Sequence, residues 1–174
     1  RRNTRSATPS ADRSTVTMNT SSVRATLFVR LGADLQEEPW TTQPMEGVWQ
    51  DAAQHGGIDG GLALGEDAQP PACRPDVWDQ LDGLLLAWLT GLGALAAGAD
   101  EALVEFPDTR IECELVRLPD DRVHVRYEDI DATLPLEGAQ SALRAAASRL
   151  IHAASGHVQT DALRALQAFV PEVS

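Results

Sequence analysis

The chain reads as an α+β protein: an antiparallel meander sheet of about four to five strands, with two main helices packed on one face. Three observations predict this. Apolar and polar residues alternate strictly from Val23 to Leu31. Short alternating runs separated by turn residues fill the stretch from Ala102 to Leu134. Apolar residues recur at helical spacing over Asp76–Ala97 and again over Leu136–Ala154. With 174 residues and 43% hydrophobic content, the chain is long enough for one compact core and too short for two comfortable ones.

Each element follows in order. Residues 1–22 form an Arg/Ser/Thr-rich tail, expected to be flexible, and residues 23–174 a single α+β domain. In the first strand Val23, Ala25, Leu27, Val29 and Leu31 share one face. From 32 to 75 the pattern dissolves among prolines and glycines, which predicts a long irregular segment, with a short strand or helical turn around Met45–Ala53 to bury Val48 and Trp49. Asp76 follows Pro75 and reads as the N-cap of a core helix carrying Trp78 and Trp88. That helix holds no charge from Gly83 to Ala99, yet its glycines and flanking acids argue against a membrane span.

The meander begins at Leu103–Phe106. Turns at Pro107–Arg110 and Pro119–Arg122 separate strands in which Cys113 and Leu115, then Val123, Val125 and Tyr127, point inward. Antiparallel pairing sets Glu112 and Glu114 opposite His124 and Arg126. A strand through Ile130, Ala132 and Leu134 leads into the Leu136 helix, which stops at Ser155-Gly156. A last short helix is capped by Thr160.

The charge excludes more than it identifies. All 14 basic residues are arginine, and the net charge is −12. Four arginines against one aspartate make Arg1–Thr17 basic, so the remainder is more acidic still. Such a field repels nucleic acid and anionic membranes and attracts a protein with a basic surface. Cys73 and Cys113 lie in unlike settings without a C-x-x-C spacing, which predicts free thiols and a cytoplasmic protein.

No motif fixes a reaction. His55-Gly56-Gly57 has the look of an esterase oxyanion loop, but no Gly-x-Ser-x-Gly elbow accompanies it. Asp59, Glu66 and Asp67 depart from the calcium-loop spacing. His152, His157 and Asp161 make a poor metal trio because Gly156 interrupts the helix between them. Neither a metal nor a cofactor is expected. Asp76, Asp79 and Asp82 follow helical spacing and suit a helix N-terminus.

Two site readings remain. In the first, Trp40 and Trp49 anchor a protein partner, and Asp120, Asp121, Glu128, Asp129 and Asp131 form the acidic docking surface. In the alternative, a pocket under the 32–75 segment takes a small ligand or substrate, with His55, Asp59 and Glu66 at its mouth.

The run Leu84-Leu85-Leu86-Ala87-Trp88-Leu89-Thr90-Gly91-Leu92-Gly93-Ala94-Leu95-Ala96-Ala97-Gly98, followed by strands and then Leu143-Arg144-Ala145-Ala146-Ala147, resembles small actinobacterial α+β proteins. Among these are the WapI-type immunity proteins of polymorphic toxin systems. The resemblance covers residues 78–154 and transfers no site residue. It implies a protein that neutralises its partner by binding and has no active site of its own. The expected function is therefore an acidic, non-catalytic protein-binding module, such as an immunity protein or a dedicated chaperone.

Overall fold

The computed structural model describes residues 22–40, 42–67 and 69–170. The predicted tail lies outside the described residues except for Ser22. The fold is α+β, but its strands divide between two antiparallel four-stranded sheets where a single meander was expected.

The first sheet has the order β2-β1-β3-β4 and contains β1 (Val23–Leu31), β2 (Asp34–Glu37), β3 (Asp59–Glu66) and β4 (Asp79–Gln80). Ala25, Leu27 and Val29 are buried, as the alternation requires. Between β2 and β3 runs helix α1 (Thr42–His55), which buries Met45, Val48, Trp49 and Ala52 on one side. The irregular segment expected at 32–75 is thus overturned over most of its length: it holds β2, α1 and β3. The glycines of β3 mislead because their cause lies elsewhere in the chain. A Cβ on Gly60 would sit 2.1 Å from the Phe28 carbonyl oxygen, and one on Gly61 would sit 2.5 Å from the Pro75 carbonyl oxygen. Close backbone approach, and not a loop, demands glycine at both positions.

The second sheet is the predicted meander, ordered β5-β6-β7-β8: β5 (Glu101–Glu105), β6 (Glu112–Arg117), β7 (Arg122–Tyr127) and β8 (Ile130–Pro135). Val104, Cys113, Leu115, Val123, Val125, Tyr127, Ile130, Ala132 and Leu134 point inward, while Leu103 is exposed. Glu114 stands opposite Arg126 and pairs with it. His124 has no glutamate opposite it. His124 lies opposite Val116, and its ring meets Asp131 on β8 at 2.8 Å.

Helix α2 (Leu81–Ala96) packs against both sheets and against α3 (Leu136–Ala154), which lies along β1 and β8. The buried residues of both sheets and all four helices belong to one hydrophobic cluster. Helix α2 starts four residues later than expected, with Gln80 at the N-cap position in place of Asp76. Asp76 is exposed and does not cap it, Trp78 lies outside the helix and is exposed, and Asp79 belongs to β4. Asp79 and Asp82 are nonetheless buried. Asp79 accepts hydrogen bonds from the Asp108 and Thr109 amides and the Thr109 hydroxyl, tying β4 to the β5–β6 turn. Asp82 sits in the first turn of α2, where a negative charge suits the helix dipole. It accepts from the Ile58 amide at 3.0 Å and from the Thr160 hydroxyl. Thr160 caps α4 (Asp161–Leu166) as predicted, accepting from the Leu163 amide at 3.0 Å.

Candidate functional site

Trp40 and Trp49 line the same groove. Strand β2 ends at Glu37, the chain turns through a cis Glu38–Pro39 bond, and Trp40 follows just ahead of α1. Its indole Nε1 donates to the Gln36 carbonyl at 2.9 Å, which fixes the ring against the hairpin. Met45 and Trp49, one helical turn apart on α1, form one wall of a groove of about 440 Å³. Arg149, His152 and Ala153 of α3 and His157 beyond it form the other wall. The His157 ring stacks on Trp49 with centroids 6.0 Å apart and planes inclined by 19°.

Glu38 and Arg149 hold the two walls together. Glu38 Oε2 accepts from Arg149 Nε at 2.7 Å, and Oε1 accepts from an Arg149 terminal nitrogen at 2.7 Å. The same Oε1 accepts from the Leu27 amide at 3.0 Å. This bidentate pair raises the Arg149 guanidinium above its ordinary value. Because each charge is spent on the other, the groove presents its aromatic and aliphatic surface with little net charge of its own.

A second, smaller cleft of about 170 Å³ lies on the neighbouring face of α1. His55 and Asp59, two of the three residues assigned to a pocket, line it together with Arg30, Asp51 and Gly57. Burial raises the Asp59 carboxyl above its ordinary value, and the Arg30 charge opposes that shift. Glu66 does not belong here. It closes the far end of β3, about 23 Å along an eight-residue strand, where it meets Arg122 at 3.7 Å.

The five acids assigned to a docking surface do not converge. Asp120 and Asp121 form the β6–β7 turn, whereas Glu128 and Asp129 form the β7–β8 turn at the opposite end of the sheet. Asp121 and Glu128 adopt positive φ, +57° and +48°, which the tight turns require. Three of the five are paired: Asp121 with Arg117 at 2.9 Å, Asp129 with Arg74 at 3.0 Å, and Asp131 with His124. Among the described residues, no three His, Cys, Asp or Glu side chains gather as metal ligands. No helix among them is long and apolar enough to cross a membrane.

Sequence reasoning singled out the two tryptophans but missed Met45, Arg149 and the histidines as their neighbours. Helical spacing places Arg149 and His152 on one face of α3, and no local pattern connects that face to Trp40. The chain matches no protein-family model, and neither a curated protein nor a solved structure matches it.

Proposed function

We propose that this chain is a non-catalytic protein-binding module that seats a bulky apolar side chain of its partner against Trp40, over a floor that includes the nearly buried Trp49. The convergence of these two rings with Met45 and Pro39 on one groove carries the reading. Aromatic anchors in a half-enclosed apolar groove supply the buried centre that interfaces need. The groove offers no nucleophile beside a base, since its one carboxylate is committed to Arg149. The net charge of −12 favours a partner whose anchor is flanked by arginine or lysine, and disfavours nucleic acid and anionic membranes. Cys73 and Cys113 are buried free thiols that need no oxidising compartment, which supports a cytoplasmic setting. In the immunity-protein form of this reading the partner is a toxin, and binding alone neutralises it. In the chaperone form, the same groove shields a segment of a client.

The test is a selection from a displayed random-peptide library on the wild-type protein, followed by affinity measurements on Trp40→Ala and Trp40→Phe. Trp40 is only partly buried, so neither variant threatens the core. Enriched peptides are expected to carry an aromatic or leucine anchor beside basic residues and to weaken as salt rises. Trp40→Ala should cost them about 1–3 kcal/mol, and Trp40→Phe much less. Peptides that bind Trp40→Ala as tightly as wild type would refute the proposal.

A further inference from the structure

We propose that the cleft between β1, the end of α1 and the start of β3 binds a cationic α-amino acid, either free or as the C-terminal residue of a peptide. Arg30 would take its carboxylate, and Asp51 and Asp59 its positive end. Three observations on this cleft converge.

The first is an unspent arginine. Arg24, Arg74, Arg117, Arg122, Arg126, Arg149 and Arg164 each meet a carboxylate. Arg30, like Arg110 and Arg144, meets none among the described residues, and it lines the cleft. Its Nε donates to the Gly32 carbonyl at 2.8 Å, and its guanidinium lies 4.0 Å over the Trp78 ring. This explains why Trp78 stays outside the core: it forms the plate on which the guanidinium rests. Both contacts leave the terminal nitrogens as a preorganised fork, the geometry that recognises a carboxylate through two parallel bonds.

The second is a histidine with a fixed proton. His55 Nδ1 lies 2.9 Å from the Asp51 carbonyl oxygen, which only accepts. Nδ1–H therefore donates to that carbonyl, which fixes the ring at the cleft. The Asp51 and Asp59 carboxylates beside it offer acceptors to a cation.

The third is size and charge. The cleft of about 170 Å³ has more than ten times the ~10–15 Å³ that one ordered water needs. That suits a molecule of roughly ten heavy atoms. One arginine against two aspartates leaves a net negative lining, so a ligand carrying one carboxylate and a side-chain cation is its complement. Lysine and arginine meet all these conditions, whereas neutral and acidic amino acids do not.

The experiment is calorimetric titration of the full chain with L-lysine, Nα-acetyl-L-lysine, L-lysinamide, L-leucine and L-glutamate. L-Lysine is expected to bind with Kd on the order of 1 mM or tighter, while L-lysinamide, L-leucine and L-glutamate fail. Binding of Nα-acetyl-L-lysine as well would assign the site to a peptide C-terminus, and its failure would assign it to the free amino acid. Arg30→Gln and Asp59→Asn, both at partly or fully exposed positions, should each weaken L-lysine at least about tenfold. Their circular dichroism should match wild type. Trp40→Ala should bind L-lysine unchanged, which separates this site from the groove. Absence of L-lysine binding to the wild type, or equal binding by Arg30→Gln, would overturn the proposal.

Discussion

Asp82 and Thr160, 78 residues apart in the chain, share a hydrogen bond inside the core and through it join the starts of two helices. Thr160 donates its hydroxyl proton to Asp82 and accepts from the Leu163 amide, while Asp82 also accepts from the Ile58 amide. Asp82→Ala strands the Ile58 N–H in a fully buried site and should cost about 2–4 kcal/mol. Thr160→Ala removes the cap of α4 and should cost about 1–2 kcal/mol. The double variant should cost less than the sum by at least about 0.5 kcal/mol. Urea unfolding of the four proteins measures the cycle, and strict additivity would show that the pair is not coupled.

Glu38→Ala removes the acceptor of both Arg149 and the Leu27 amide. A loss of about 1–3 kcal/mol is expected, and Arg149→Ala should lose less because its side chain is 46% exposed. Chemical denaturation ranks the two. A Glu38→Ala protein as stable as wild type would show that water replaces the pair without cost.

Gly60→Ala and Gly47→Ala should move stability in opposite directions. The new methyl at Gly60 collides with the Phe28 carbonyl, and the variant should lose more than about 3 kcal/mol or fail to fold. Gly47 is exposed in the middle of α1, and nothing lies within 4 Å of an added Cβ. Alanine there should add about 0.5–1 kcal/mol. Thermal melts of the two variants against wild type decide the signs.

Alkaline pH should destabilise the fold through its buried thiols. Burial pushes the Cys73 thiol up to about 12 from 9.0, and burial raises Cys113 and Tyr127 as well. The native state therefore keeps protons that the unfolded chain has already released. Their stabilisation is complete below about pH 9 and is lost as pH rises through the folded values, by at most about 1.4 kcal/mol per pH unit for each group. Cys73→Ala should flatten that decline, as read from urea midpoints between neutral and alkaline pH. An equally steep decline in the variant would assign the effect to other groups.

Much of this fold is legible in the chain because its second half is built from local patterns. The meander, α3 and the Thr160 cap each announce themselves within a few residues. Helix α1 does not: Pro44 and Gly47 are poor helix formers, and its buried residues Met45, Val48, Trp49 and Ala52 span barely two turns. Strand β3 hides behind glycines required by carbonyls of β1 and of the Pro75 loop. The start of α2 is hidden in the sequence because Asp76, Asp79 and Asp82 follow helical spacing, although Asp79 and Asp82 are core acceptors outside any cap. At the candidate sites, residue type singled out Trp40, Trp49, His55 and Asp59. Their partners Arg149 and Arg30 depend on tertiary geometry. The acids Asp121 and Glu128 are explained by turn conformation more directly than by any shared surface.

The Glu38–Arg149 pair has a consequence for the open rim of the first sheet. Strand β1 is nine residues long and β2 only four, so β2 shields one half of the outer rim of β1; Val23–Leu27 pair with β3 on their other side and have no strand beside them on this rim. An open rim of this kind invites another chain to pair with it. Here the Leu27 amide is taken by the Glu38 carboxylate, the Leu27 carbonyl by the Glu38 amide, and the Ala25 carbonyl by Arg149 at 2.8 Å. One ion pair thus occupies the backbone groups through which a second copy would begin to zip.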